Sequence, residues 1–231
     1  MILYTNGCSW TNGGGLEPYF NLNEERFNLV WPHHLGKLIN SEKTINLSAG
    51  CGSNSRILRT TFDWITEQSP ADLAKTIAVI QWTEYSRYEY YVPKNSNDMY
   101  ENIEDRWARI KVGAILSRYE DDENHKMIRS NHRLETYTDI EGMYKHIAEC
   151  DALGALFSRY NIKYYYWSYG NMVRFYPKKE RDYLLQHHNW LDNGISTWEY
   201  ERIDRKRDPH PSLTGHKQLA EIIYDRMKEK K

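Results

Sequence analysis

Thr76-Ile77-Ala78-Val79-Ile80-Gln81-Trp82 is an almost unbroken apolar run. It is far too short to cross a bilayer, and it is rich in residues that favour strands. A run without alternation fits a strand buried on both faces, the central position of a parallel sheet. Two shorter apolar segments lie upstream, Ile2-Leu3-Tyr4-Thr5, ended by Asn6-Gly7, and Thr44-Ile45-Asn46-Leu47. A fourth, Ile162 to Trp167, lies downstream. Helical patterns fall between them. Trp31-Pro32 starts a helix to about Ile39, with proline in its first turn. Ser53 caps a helix from about Asn54 to Gln68, with Ile57, Leu58, Thr61, Trp64 and Ile65 on one face. Further helices are expected from about Ile140 to Tyr160 and from about Ser212 to Lys228. Strands alternating with helices predict one parallel sheet with helices on both faces, a three-layer α/β/α sandwich of flavodoxin-like type.

No Gly/Ser/Pro-rich linker and no repeat divides the chain, so residues 1–231 are expected to form a single domain. Residues 84–138 depart from the alternation. They are polar and tyrosine-rich, with a helix expected from about Asn102 to Tyr119, and read as an insertion or lid after the third strand.

The charges balance, 31 Lys plus Arg against 32 Asp plus Glu. A net charge of -1 gives no reason to expect a nucleic-acid partner or a polybasic membrane anchor. The aromatic content is what stands out: 8 Trp, 19 Tyr and 5 Phe, with a mean hydropathy of -0.83. Much of the apolar mass therefore sits in rings with a polar tip, which suit wet, sugar-like surfaces as well as cores. The N-terminus MILYTNGCSW lacks the basic and apolar regions of a signal peptide, and a cytoplasmic location is the default expectation. Cys8, Cys51 and Cys150 show no CxxC spacing and read as reduced thiols. His33-His34 and His187-His188 are neighbours that point about 100° apart on a helix, poor for metal binding. No metal or cofactor is expected.

Four segments carry chemistry. Gly7-Cys8-Ser9-Trp10-Thr11 follows the first strand, Asn46 to Asn54 the second, and Gln81-Trp82-Thr83-Glu84 ends the third. Asp208-Pro209-His210-Pro211-Ser212 precedes the last helix, with Gly215-His216 after it. Loops at the carboxyl ends of parallel strands converge on one rim. Ser9 is placed to be a nucleophile, and a serine needs an adjacent base. His210 is the candidate base and Asp208 the group that fixes its tautomer. The glycines after the second strand expose amides suited to an oxyanion. As a capping box Ser212 with Gly215 is poor, so capping does not account for the histidine. His216 reads as supporting or surface.

These residues in this order resemble the SGNH (GDSL-like) hydrolase superfamily, and within it a divergent member of bacterial or phage type with a Trp-Thr third block. The resemblance implies an α/β/α serine hydrolase. Gly7-Cys8-Ser9 matches the first block with cysteine in place of aspartate, and implies Ser9 as nucleophile. Asn46 to Gly52 matches the second, with Gly52 as the oxyanion amide and Gly50 its competitor. Thr83 stands where the third block has its oxyanion asparagine, and Asn54 is the substitute donor. Asp208 and His210 match the last block, one residue tighter than the commoner Asp-x-x-His. The implied oxyanion set is Ser9, Gly52, Thr83 and Asn54.

Trp10, Trp82, Tyr85 and Arg87 are the candidate substrate contacts, the tyrosines at 85–91 stacking on sugar faces. The expected function is esterase action on a short acyl group, such as O-acetyl, carried by a carbohydrate. The alternative is a catalytically impaired member that binds glycan or protein through its aromatic face.

Overall fold

Which residues face which layer follows from strand parity. In the computed structural model, residues 1–16, 24–85, 87–91, 107–111, 139–168, 172–191, 195, 199–204 and 208–230 are described. Strands are β1 (Ile2–Asn6), β2 (Lys43–Asn46), β3 (Thr76–Trp82), β4 (Arg87–Tyr91), β5 (Trp107–Lys111), β6 (Lys163–Ser168), β7 (Arg202–Asp204) and β8 (Asp208–Pro211). Helices are α1 (Ser9–Asn12), α2 (Glu24–Phe27), α3 (Trp31–Leu38), α4 (Asn54–Glu67), α5 (Pro70–Leu73), α6 (Asp139–Arg159), α7 (Lys178–His187) and α8 (Leu213–Glu229).

The central sheet is parallel, in the order β2-β1-β3-β6. The chain moves outward from β1 to β2, then returns past β1 to β3 and on to β6. Right-handed crossovers in opposite directions place successive helices on opposite faces. Accordingly α3 and α8 pack together on one face, and α4 and α6 on the other. This is the three-layer sandwich the alternation predicts.

Side chains alternate between the two cores. Tyr4, Ala78, Ile80, Trp82 and Tyr166 face α4 and α6, whereas Leu3, Val79, Tyr165 and Trp167 face α3 and α8. Tyr4 stacks on Trp64 with ring centroids 4.1 Å apart, and Trp167 meets Trp31 edge-on at 5.7 Å. Much of the aromatic excess is therefore core. The outer edge of β6 is covered by Asn189–Leu191, through bonds from Tyr166 N–H to the Asn189 carbonyl and from Leu191 N–H to the Tyr166 carbonyl.

Ser53 caps α4, accepting from Arg56 N–H. Ser212 caps α8 in the same way, accepting from Gly215 N–H at 3.0 Å, although the sequence lacks a capping box there. One hydroxyl suffices to satisfy a first-turn amide without the reciprocal acid.

The helix expected over 102–119 is corrected at Trp107–Lys111, which is strand β5, antiparallel to β4. The tyrosine-rich β4 has strong strand propensity, and pairing with it overrides the helical pattern of the later segment. The ribbon is tied to α4 by a two-pronged ion pair, Arg59 Nε and Nη2 each 3.0 Å from a carboxylate oxygen of Glu89. The rest of the expected lid, 92–106 and 112–138, lies outside the described residues. Among the described residues no helix is long and apolar enough to cross a membrane.

Candidate active site

The strand order reverses direction at β1, so its carboxyl end, beside that of β3, opens the crevice where ligands of such sheets bind. The first turn there is tight for a specific reason. A Cβ on Gly7 would lie 2.5 Å from Thr11 Oγ1 and 2.8 Å from Gln81 Oε1. The space is filled instead by a buried polar cluster. Gln81 Oε1 accepts from Thr11 Oγ1 at 2.6 Å and from Cys8 N–H at 3.3 Å, and Gln81 Nε2 is 3.2 Å from Cys8 Sγ. The second loop is laced to the first. Asn46 Oδ1 accepts from Ser48 N–H and Oγ, its Nδ2 donates to the Thr11 carbonyl, and Asn12 Nδ2 donates to the Ser48 carbonyl.

On this platform Ser9 opens the single turn α1, and its hydroxyl meets a histidine from the far end of the chain. His210 Nε2 is 2.8 Å from Ser9 Oγ, and His210 Nδ1 is 2.6 Å from Asp208 Oδ1. Asp208 Oδ1 also accepts from His210 N–H at 3.0 Å. Both residues lie in β8, two apart, and alternate residues of a strand point to the same side. That parity lets the tight Asp-Pro-His spacing work. With Asp208 accepting Nδ1–H, the Nε2 lone pair faces the serine hydroxyl. Trp10 supports the imidazole, its ring 5.4 Å away, and is itself held edge-on by Tyr200 at 5.9 Å.

A glycine run, Gly13 to Gly15, wraps this group. A Cβ on Gly14 would lie 2.8 Å from Ser9 Cβ and 3.2 Å from His210 Nε2. Gly15 sits at φ 82°, and a Cβ there would lie 2.8 Å from Asp208 Oδ2. Arg26 Nη2 donates to the Gly13 carbonyl at 2.7 Å and anchors the run. Three consecutive glycines four residues after a candidate nucleophile were the available signal.

The oxyanion set is rearranged relative to expectation. The Gly52 N–H is taken by the Ala49 carbonyl at 3.0 Å, because residues 49–52 close a turn. Asn54 brackets the backbone of Thr83, its Oδ1 accepting from Thr83 N–H at 2.8 Å and its Nδ2 donating to the Thr83 carbonyl at 3.0 Å. Its amide is therefore engaged as a strand-end clamp. The Thr83 hydroxyl is buried with no partner among the described residues. The Gly50 position opens onto space, and Cys51 is held at φ 59°.

Of the candidate substrate contacts, Trp82 is corrected. It is 0% exposed, edge-on to Tyr166 and His146, because strand parity turns it into the α4/α6 core. Trp10 is buried as well, and serves His210 rather than the open surface. Arg87 is turned to Glu84, its Nε 3.5 Å from the carboxylate. Tyr85 lines a groove of about 570 Å³ with Glu84, Ile140, Met143, Met172, Phe175, Tyr176 and Pro177. The side chains of Tyr88, Tyr90 and Tyr91 lie outside the described residues, as do residues 205–207 of the basic run before Asp208.

Of the two readings of His216, supporting or surface, the surface one is corrected. The side chain is fully buried, and its Nδ1 accepts from Trp31 N–H at 3.2 Å. Burial pushes its pKa down to about 3. Among the described residues no group of three His, Cys, Asp or Glu side chains gathers as a metal site.

Comparison with solved structures finds the same architecture in ester-cleaving proteins. A G-D-S-L family lipolytic protein from Desulfitobacterium hafniense DCB-2 superposes with TM-score 0.52 at 12% identity, over 97% of this chain and 98% of that one. The psychrotrophic esterase EstA from Pseudoalteromonas sp. gives 0.53 at 11% identity, over 99% and 97%. A carbohydrate esterase whose active site displays divergent catalytic and non-catalytic binding functions gives 0.50 at 13%, over 100% of this chain and 65% of that one. Identities this low show a shared fold. A sequence search of curated proteins finds no match. Residues 16–168 match the sequence model of DUF6071, so the chain belongs to DUF6071, a family of unknown function.

Proposed function

We propose that this protein is a serine esterase of SGNH type that removes a short acyl group, most simply O-acetyl, from a carbohydrate. The observation that carries the reading is the hydrogen-bonded chain Ser9–His210–Asp208, assembled from segments 201 residues apart. A serine opening a short helix and a strand histidine have no structural need to meet. The fold shared with esterases, one of them a carbohydrate esterase, supports the same reading.

In this reading Ser9 Oγ attacks the ester carbonyl while His210 Nε2 takes its proton. Asp208 holds the imidazole in the required tautomer and stabilises the imidazolium. The Ser9 amide and the Thr83 hydroxyl are the donors assigned to the developing oxyanion. The imidazolium returns its proton to the leaving alcohol. Water, deprotonated by His210, then cleaves the acyl-serine and releases the acid. No step calls for a metal or cofactor.

The test is turnover of p-nitrophenyl acetate and of an O-acetylated xylo-oligosaccharide by wild type and Ser9→Ala. Activity confined to wild type is expected, and equal rates in both sink the role of Ser9. One observation favours a second reading, a glycan-binding member with impaired catalysis: Gly52 and Asn54 have both committed their donors elsewhere. That reading expects glycan binding that persists in Ser9→Ala, with no ester turned over.

A further inference from the structure

The groove beside Thr83 has an organisation of its own. It lies at the carboxyl ends of β3 and β6, on the α4/α6 side, whereas His210 approaches Ser9 from the other layer. Glu84 directly follows Thr83, and Met172 follows the end of β6 by a few residues. β3 is the neighbour of β1 and β6 the neighbour of β3, so the groove lies on the same rim as Ser9.

Its walls are rigid for identifiable reasons. The Tyr176 hydroxyl is 2.6 Å from Nδ1 of the fully buried His146, so the phenol tip is turned inward and fixed. The Tyr85 and Tyr176 rings face one another at 6.5 Å, inclined by 50°. Phe175 is 70% exposed, so its ring is open to a ligand. The Arg174 guanidinium lies over that ring at 4.8 Å and steadies it. Met143 and Glu84 complete the lining, and the Glu84 carboxylate lies 3.5 Å from Arg87 Nε.

We propose that this groove is a sugar subsite: the C–H face of a pyranose ring packs on Tyr85 and Phe175, with the buried Tyr176 backing Tyr85, and its hydroxyls donate to Glu84. An alkyl chain would satisfy the rings but would press methylenes against a carboxylate, which costs solvation. A sugar ring offers both an apolar face and a donor edge, and matches the lining on both counts. The inference rests on the esterase reading for its catalytic consequence. An ester held at Ser9 projects its neighbouring sugar over Thr83 into the groove, so acylated oligosaccharides are better substrates than acylated monosaccharides. Binding of the sugar itself requires no catalysis.

The experiment has two arms. In the first, wild type, Phe175→Ala and Tyr85→Ala are compared on an acetylated xylotetraose and on p-nitrophenyl acetate. Each variant is expected to lower the ratio of the two kcat/KM values by about fivefold or more, through KM for the oligosaccharide. Phe62→Ala, an exposed ring on α4 outside the site, is expected to keep the wild-type ratio. An unchanged ratio overturns the subsite, and so does a loss directed at p-nitrophenyl octanoate instead. In the second arm, saturation-transfer NMR of Ser9→Ala is run with xylotetraose, cellotetraose and chitotetraose. Signal transfer to at least one, abolished by adding Phe175→Ala, is expected. Transfer to none overturns the subsite even if the esterase reading stands. Transfer in a wild type that cleaves no ester sinks the esterase reading and leaves the subsite standing.

Discussion

His210 Nε2 lies 2.8 Å from Ser9 Oγ, and the same imidazole is held from behind by Asp208 at 2.6 Å. Removing either end of this chain has a different consequence. Ser9→Ala deletes the nucleophile and is expected to bring ester turnover near the uncatalysed rate. Asp208→Asn keeps the shape but offers an amide donor to Nδ1, favouring the wrong tautomer. That change is expected to lower kcat by ~10⁴. The measurement is p-nitrophenyl acetate hydrolysis, and a loss of less than tenfold in Asp208→Asn contradicts the role given to the pair.

Gly14 tests how closely the glycine run is fitted. An added Cβ would sit 2.8 Å from Ser9 Cβ and 3.2 Å from His210 Nε2. Gly14→Ala is therefore expected to separate the serine from its base while the two cores stay packed. A displacement of that order costs about 10²-fold in rate. Activity should fall while the thermal midpoint stays close to wild type. A variant with full activity shows that the run is mere loop.

Gln81 carries a separate expectation, because it holds the nucleophile turn from beneath. Gln81→Leu leaves the Cys8 amide and the Thr11 hydroxyl buried without their acceptor. Stranded buried donors cost ~1–3 kcal/mol each. Gln81→Glu keeps the accepting oxygen but loses the donor to Cys8 Sγ and buries an acid, so it should retain more activity than Gln81→Leu and less than wild type. Urea denaturation and ester turnover on the two variants check this together. Equal behaviour of the two removes the hydrogen bonds from the explanation.

The four strands of the parallel sheet were legible because burial leaves apolar runs, most clearly at Thr76–Trp82, whereas their order came only from the structure. That Ser9, Asp208 and His210 could meet was legible because their segments lie at or near one rim of the sheet, and the structure places them in hydrogen-bond contact. What escaped was set by direction rather than composition. Trp82 reads as a rim residue in the sequence, yet parity with Ile80 turns it into the core. Gly52 and Asn54 have suitable donors, but only the closed turn and the clamp on Thr83 reveal that those donors are spent. Gly14 and Gly15 matter through contacts with residues some 200 positions away, which no local pattern encodes. The Trp107–Lys111 strand depends on its partner β4, as strand formation generally depends on pairing.

Two buried histidines make stability depend on pH. Burial pushes the pKa of His146 and of His216 down to about 3, against about 6.5 when exposed. The causes are structural as well as dielectric. His216 Nδ1 already accepts from Trp31 N–H, so protonation there breaks that bond. In the folded protein both rings are neutral, while in the unfolded chain both take up protons below pH 6.5. The unfolded state therefore binds more protons throughout the window from about 6.5 to about 3, and stability falls as pH drops through it. Each ring contributes a slope on the order of 1 kcal/mol per pH unit inside that window. Glu149, whose carboxyl is pushed up by burial, works in the opposite sense. Urea unfolding at pH 7.5, 6 and 5 should show little change above 6.5 and a steepening loss below it. His146→Phe, in protein that folds at pH 7.5, should halve the slope, and a stability unchanged between pH 6.5 and 5 rules out neutral buried rings.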